Sequence, residues 1–464
     1  MSQTAANFNR LHHNGFPVKS ETLDLHGLTL VVGLGLSGMS AVRTLAALGV
    51  EVAVTDSRAA PPELATLQRE FPDVPYRVGH FDGHLFAKAK RLVVSPGVPV
   101  QTPPIAATAE RGVPLWGDIE LFARLVQAPV VAITGSNGKS TVTTLLGRMV
   151  EQAGIPVAVG GNLGTPALDL LRQPQAELYV LELSSFQLET TLSLNAKAAT
   201  VLNISPDHMD RYPDLNAYTQ AKQRIFRGDG VQIINADDSR VTAMQIPHRE
   251  ILRFTLNTPA TGEFGLRQVG DEIHLAYGED NWLAAESLKI RGRHNLANAL
   301  AALALGHVLD LPKNAMITAL RAFPGLPHRT EWVATAGGVS WFNDSKGTNV
   351  GATIAAVQGL PGPLVLIAGG DGKGQDFTPL GSVLPGKVRA LIVLGRDAPA
   401  IAAVSSVPVH WAGDMEQAVE LAGQLAQAGD SVLLSPACAS FDMFSHYEER
   451  GAVFSALARR KASC

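Results

Sequence analysis

The segment that most constrains this chain is Thr134-Gly135-Ser136-Asn137-Gly138-Lys139-Ser140-Thr141. It follows the apolar run 129–133, which predicts a buried strand, and leads into a segment that predicts a helix over 141–150. Strand, glycine-bearing turn and helix N-terminus together form an anion cradle, because unpaired N–H groups and the helix dipole face the turn. Lys139 would reach terminal phosphates, and the hydroxyl of Ser140 or Thr141 would ligate magnesium. The loop is shortened: in Gly-x-x-x-x-Gly-Lys-Ser/Thr the first glycine would fall at 133, where Ile133 stands. A polar turn with a chance Lys-Ser is the bland alternative, and the flanking strand and helix weigh against it. Nucleoside triphosphate binding is the working expectation.

At 464 residues the chain should form roughly three domains, since one core seldom grows past about 250–300 residues. Short β-branched runs alternate with longer Ala/Leu segments, the pattern of a parallel sheet covered by helices. The expected blocks are 1–117, 118–325 and 326–464, with the second closing at the Pro/Gly-rich 323–327. Strands are expected at 28–32, 50–55, 91–95, 178–183, 198–204, 363–368, 388–394 and 431–434, and an amphipathic helix at 414–428. A net charge of −4 argues against a nucleic-acid surface. No run approaches the roughly 18 apolar residues of a membrane span; 296–311 is interrupted by Asn298, His307 and Asp310. Residues 1–26 lack the apolar stretch of a secretory signal and are expected to be a loosely ordered extension. With only Cys438 and Cys464 present, no structural disulfide is expected, which fits a reducing cytoplasm.

Gly33-x-Gly35-x-x-Gly38, with Asp56 after the next strand, matches the dinucleotide fingerprint. On these residues alone a dinucleotide leads, yet a UDP moiety satisfies the same geometry, and no hydride-transfer site is evident elsewhere. Glu182, at a strand's C-terminal end, stands where a magnesium ligand belongs, although Glu-Leu-Ser-Ser could equally be a helix cap. Asp207-His208-Met209-Asp210 could be a solvated turn, and Lys222 looks like an exposed helical lysine. Asn295 and Asn298 place two amides on one helical face, able to pair with adenine, though Asn295 could be an N-cap. His328-Arg329, Asn343 to Thr348, Gly369 to Lys373 and Ser435 to Asp442 carry phosphate- or carboxylate-binding groups.

Together these segments closely resemble the ATP-dependent Mur ligases, over about 27–457. The phosphate loop marks the whole family and its folylpolyglutamate synthase relatives. Leu-Glu-Leu-Ser-Ser-Phe-Gln-Leu-Glu (181–189), Asp-His-Met-Asp-Arg-Tyr (207–212) and Leu-Ser-Pro-Ala-Cys-Ala-Ser (434–440) narrow it to the D-glutamate-adding branch. The resemblance implies an α/β protein of three domains: a Rossmann-like N-terminal domain, a central P-loop ATPase-like parallel sheet and a C-terminal Rossmann-like domain. It implies that Leu36, Ser37, Gly38, Asp56, Ser57, Arg58 and Gly97 hold a UDP-sugar, with Asn162 and His208 nearer its reactive end. Gly135, Ser136, Asn137, Gly138, Lys139, Ser140 and Thr141 would bind ATP phosphates, and Asn295, Asn298, His328, Arg329 and Asp344 the rest of ATP. Lys346 would meet the transferring phosphate. Thr348, Lys373, Ser440 and Phe441 would hold D-glutamate. Two magnesium ions are implied on Ser140, Thr141, Glu182, His208 and Lys222, the last as a CO2-derived carbamate. A carbamate turns a metal-repelling cation into an anionic ligand, and it requires a lysine whose pKa lies below the usual value of about 10.4. Phe441 and Tyr447 depart from the family's usual leucine and phenylalanine, so the amino-acid pocket should be slightly tighter and more polar.

The expected activity is amide ligation. ATP phosphorylates the carboxylate of UDP-N-acetylmuramoyl-L-alanine, the amine of D-glutamate displaces the phosphate, and catalysis is chiefly positioning and charge neutralisation. Closure of the third domain about a hinge near 325–327 is expected. The partners are small molecules, with no nucleic acid and no membrane span, and the protein is expected to be a cytoplasmic monomer. An oxidoreductase using a nicotinamide, a non-catalytic P-loop switch, and another Mur-type or folylpolyglutamate-type ligase are the competing readings.

Overall fold

The structure is a computed structural model that describes residues 25–172 and 176–462. The expected extension, apart from Leu25 and His26, and Cys464 lie outside the described residues. Three sheets organise the chain.

The first is all parallel, in the order β3-β2-β1-β4-β5, from β1 (Thr29–Val32), β2 (Val52–Asp56), β3 (Tyr76–Val78), β4 (Arg91–Val94) and β5 (Leu115–Trp116). β1, β2 and β4 are buried throughout, as their unbroken apolar runs require of strands covered on both faces. The strand order reverses between β1 and β4, so a crevice opens beyond their carboxyl ends, where an α/β sheet takes its ligand. Gly33 and Ser95 stand there, the Ser95 hydroxyl donating to the Gly33 carbonyl at 2.7 Å.

The second sheet runs β14-β13-β12-β11-β10-β9-β6-β8-β7. Its strands are β6 (Val130–Thr134), β7 (Val157–Gly161), β8 (Leu178–Glu182), β9 (Ala198–Val201), β10 (Val231–Asn235), β11 (Ile251–Phe254), β12 (Phe264–Val269), β13 (Glu272–Tyr277) and β14 (Asp280–Ala284). The expectation of a parallel sheet holds from β7 to β12, while β12–β13 and β13–β14 pair antiparallel. These last strands are buried at one end and exposed at the other, and as antiparallel neighbours they need no crossover helix. β6 lies between β8 and β9, so its loop also emerges at a switch point.

The third sheet, in the order β15-β16-β20-β17-β18-β19, comprises β15 (Glu331–Ala336), β16 (Val339–Asn343), β17 (Leu364–Gly369), β18 (Val388–Leu394), β19 (Val409–Trp411) and β20 (Ser431–Leu434). It is parallel except for the β15–β16 hairpin, which turns on Gly337 and Gly338 at φ 56° and 80°. Two consecutive positive φ values are what a two-residue hairpin demands, and glycine supplies them without strain.

Packing divides the molecule unequally. One apolar cluster contains Leu45 and Val54 of the first sheet's layers, Phe122 of the connecting helix Asp118–Leu125, and Tyr179 and Leu181 of the second sheet. A second cluster joins the second sheet to the helices Lys139–Gln152 and Arg293–Val308, the latter with Ala299 to Leu305 wholly inaccessible to solvent. The clusters beneath the third sheet draw only on residues from Val333 onward. The third domain therefore meets the others through largely polar contacts, the kind of interface that permits relative motion.

Candidate functional site

β6 ends at Thr134, and the helix Lys139–Gln152 starts after Gly138, which at φ 84° serves as its N-cap. A Cβ at Gly138 would collide with the Asn298 carboxamide oxygen. The position is therefore closed to larger residues by backbone angle and by space. Lys139 Nζ donates to the carbonyls of Gly135 and Ser136, at 2.9 Å each. Ser136 Oγ donates to the Ser205 carbonyl at 2.9 Å, and Asn137 N donates to Asn203 Oδ1 at 2.8 Å. The turn is thus strapped to the chain leaving β9. Asn298 donates to Asn295 (3.1 Å), which donates to the Arg291 carbonyl (2.8 Å), so the two amides expected to read adenine form one buried ladder.

Of the two readings at Glu182, the structure shows the helix cap. Ser184 does cap the helix Ser185–Glu189 in a reciprocal box with Gln187. Glu182 itself is buried at the end of β8, with Oε1 accepting from Asn162 Nδ2 at 2.7 Å. Its Oε2 is buried with no hydrogen-bond partner. A buried carboxylate oxygen with no hydrogen-bond partner beside the phosphate loop is the kind of donor a hard cation takes. The residues therefore fit magnesium. Among the described residues no cluster of three or more His, Cys, Asp and Glu forms a metal site.

Lys222 is not an exposed lysine. It lies at the end of the helix Leu215–Gln223 with only 1 % of its surface accessible. Nζ donates to the Gly135 carbonyl at 2.9 Å and to Thr134 Oγ1 at 3.3 Å, over the Tyr218 ring. Burial first, and the nearby Lys139 ammonium second, push its pKa well below the usual lysine value. Lys139 is lowered too, chiefly by burial. His208, at φ 58°, packs on Phe186 with ring centroids 4.7 Å apart, and burial lowers its pKa despite Asp207.

The third domain supplies Arg329, whose guanidinium donates to Ser140 Oγ at 2.7 Å. Its neighbours His328 and Thr330 stand at φ 61° and 47°. A β-branched residue with positive φ is a genuine outlier, and here it aims the intervening arginine at the phosphate loop. Seven non-glycine residues have positive φ among those described, and five of them (His208, His328, Thr330, Lys373 and Ala437) belong to this region. Asp344 is buried and fully engaged: Oδ1 accepts from Thr330 N (3.0 Å) and Oγ1 (3.3 Å), and Oδ2 from Ser435 Oγ (2.7 Å). In this arrangement it holds the Arg329 turn, and burial raises its pKa to about 6. Lys346 Nζ sits 3.8 Å from the Tyr447 ring centroid, its pKa lowered to about 8 by burial and then by Arg329 and Lys139. Lys373 Nζ lies 5.8 Å from the exposed Phe441 ring, while Ser440 is buried and Thr348 half-buried nearby in sequence to Lys346.

In the first domain Leu36, Ser57, Arg58 and Gly97 are exposed around the crevice. Gly38 is buried where a Cβ would collide with the Gly33 carbonyl. Asp56 is consumed internally, accepting from Leu34 N (2.7 Å), Arg58 N (2.8 Å) and the Arg58 guanidinium (2.7 and 2.9 Å). It shapes the glycine turn and orients Arg58. Reading the sequence missed Asp118. It is buried beside the crevice, is bonded by Ser37 and accepts from Gln187 Nε2 at 2.9 Å. The capping-box spacing of Ser184 and Gln187 was the available signal.

Three family models match the chain: Mur ligase MurD-like, N-terminal domain, over 28–117; Mur ligase middle domain over 133–306; and Mur ligase, glutamate ligase domain, over 328–438. The UDP-N-acetylmuramoylalanine--D-glutamate ligase of Nitrosococcus oceani is 57% identical over 440 residues, covering 94% of this chain and 97% of its own. That of Pseudomonas putida is 55% identical over 431 residues, covering 92% and 96%. Among solved structures, the UDP-N-acetylmuramate-alanine ligase of Thermotoga maritima shares the fold, with a TM-score of 0.58 at 16% identity over 95% of this chain and 100% of that one. A pseudomurein peptide ligase of Methanothermus fervidus does so with a TM-score of 0.57 at 19% identity, over 88% and 96%.

Proposed function

The chain belongs to the Mur ligase family, and from that premise we propose that it joins D-glutamate to UDP-N-acetylmuramoyl-L-alanine at the expense of ATP. The reading is carried by one observation: Ser140 and Lys139 of the second domain and Arg329 of the third converge on the cleft edged by Glu182 and Lys222. That is a site for bringing two anions together across a domain boundary.

The chemistry follows from charge. A carboxylate is a poor electrophile, so the substrate carboxylate oxygen attacks the γ-phosphorus of ATP, ADP leaves, and an acyl phosphate forms. The D-glutamate amine then attacks the acyl carbon, losing a proton, and phosphate leaves with the original carboxylate oxygen. Lys139 and Arg329 offset the negative charge of the approaching groups, and Gly135 to Thr141 fix the triphosphate. Ser140, Thr141 and Glu182 would hold one magnesium ion and His208 and Lys222 a second, and the ions would supply further charge neutralisation. Lys222 would carry a carbamate: its depressed pKa favours the free amine that adds to CO2 with loss of a proton, and it lies against Thr134 and Gly135 of the phosphate loop. Asn295, Asn298 and His328 contact the nucleoside, and Asp344 supports the arginine turn. Leu36, Ser37, Gly38, Ser57, Arg58, Gly97 and Asn162 receive the UDP-sugar, with Asp56 holding Arg58. Lys346 meets the transferred phosphate, and Thr348, Lys373, Ser440 and Phe441 hold D-glutamate. The domains run 1–117, 118–325 and 326–464. The enzyme acts as a monomer in the cytoplasm. Among the described residues no helix is long and apolar enough to cross a membrane.

The test is phosphate release with UDP-N-acetylmuramoyl-L-alanine and a panel of acceptors. Release that requires D-glutamate, with L-lysine and L-alanine inert, is expected. Release with another acceptor, or NADH binding without ATP binding, would overturn the reading. Migration of oxygen-18 from the substrate carboxylate into phosphate checks the intermediate.

A further inference from the structure

Outside the groups already placed, one side chain crosses between domains with every polar atom engaged. Asn349 is buried and caps the helix Val350–Gly359, its Oδ1 accepting from Ala352 N at 2.8 Å. The same carboxamide faces the second domain. Nδ2 donates to Asn137 Oδ1 and to Asp207 Oδ2, at 3.2 Å each, and Oδ1 also lies 3.4 Å from Asn137 Nδ2. Asn137 belongs to the phosphate loop and Asp207 precedes His208, so one amide touches both walls of the cleft from the third domain.

A second observation comes from the same helix. Gly351 approaches so closely that a Cβ there would sit 2.6 Å from Ser205 Oγ and 2.9 Å from Ser205 Cβ. Ser205 is itself bonded to the loop: its N–H donates to Ser136 Oγ at 2.9 Å. Helix capping alone requires neither the donor nor the missing side chain, since Asp or Ser would cap as well.

We propose that Asn349 is a positioning residue that docks the third domain on the phosphate loop, so that Lys346 and Thr348, just before it, are registered against the phosphates only when the Asn137–Asn349–Asp207 bridge is made. The proposal deepens the ligase reading and takes its kinetic assay from it. Asn349→Asp keeps the cap but replaces the donor with an acceptor facing the Asp207 carboxylate. It should lower kcat/KM for D-glutamate by about 10- to 100-fold, the range of typical intersite coupling, while the melting temperature is held. Exchanging the partners, Asn349→Asp with Asp207→Asn, restores one donor and one acceptor and should recover about tenfold of that loss. A role confined to helix capping would show neither the loss nor the rescue, since Asp caps as well as Asn. Dyes on the second and third domains should report a smaller closed fraction with ATP in Asn349→Asp than in the parent enzyme. Asn349→Ser, which caps without charge and is too short for the bridge, carries the same kinetic and fluorescence test should the aspartate variant fail to fold. Activity within about twofold of the parent, or an exchange variant no better than Asn349→Asp, would overturn the proposal. If the parent shows no D-glutamate-dependent phosphate release, the ligase reading fails instead, and the closure measurement still decides the role of Asn349.

Discussion

A guanidinium nitrogen of Arg329 lies 2.7 Å from the hydroxyl oxygen of Ser140, joining the third domain to the first turn of the phosphate-loop helix. The contact occupies the hydroxyl proposed for magnesium, so nucleotide binding must exchange it. The arginine is thereby left beside the phosphates. Arg329→Ala should lower kcat by about 10²–10³-fold, as removal of one preorganised donor does elsewhere. Steady-state kinetics check this, and a loss confined to KM for ATP would assign Arg329 to binding alone.

Lys222 tests the carbamate. Lys222→Ala should nearly abolish turnover, and raising bicarbonate should not restore it. Isotope-labelled bicarbonate should give a carbamate resonance in the parent enzyme that is absent from Lys222→Arg, whose guanidinium stays protonated. Full activity in Lys222→Ala would remove the carbamate from the mechanism.

Lys346 sets an alkaline limit. Its folded-state pKa is lowered to about 8, first by burial and then by Arg329 and Lys139, so the ammonium is present below that value and lost as pH rises through it. If its charge meets the transferring phosphate, kcat/KM should fall above about pH 8. In Lys346→Arg the guanidinium remains charged, and that limb should flatten even if absolute activity drops. A parent profile flat to pH 9.5 would count against the assignment.

Glu182, proposed as a magnesium ligand, carries an oxygen that is buried with no hydrogen-bond partner. Glu182→Gln keeps the shape and the tie to Asn162 while removing the charge. The magnesium concentration for half-maximal rate should rise by about tenfold or more, with little change in thermal stability, because the mutation also removes a desolvated charge. A magnesium titration measures it.

Much of the fold was legible because periodicity is local. Val388–Leu394 and Ser431–Leu434 form strands over the expected residues, and Asp414 caps the helix Met415–Leu425 that its pattern announces. The antiparallel strands β12 to β14 escaped notice because each mixes buried and exposed polar positions, so no unbroken apolar run marks them. In the site, the phosphate loop could be read from its own residues, since strand, glycine and lysine are consecutive. Lys222 could not: nothing in Ala221-Lys222-Gln223 distinguishes a solvated lysine from one packed under Gly135. Asn349 was hidden for the same reason, as a helix cap and an interdomain bridge are spelled alike.

The sequence by itself determined the three α/β units, the anion-binding turns at Gly33 and Gly138, and the chemical groups available, because backbone angle, strand burial and helix capping depend on near neighbours. Tertiary structure alone decided which polar groups lost their water. Burial depressed Lys222, orphaned an oxygen of Glu182, locked Asp56 and Asp344 into internal bonds, and set Arg329 against Ser140. Desolvation and charge proximity depend on residues distant in sequence, so only the assembled fold fixes which of many similar side chains can act.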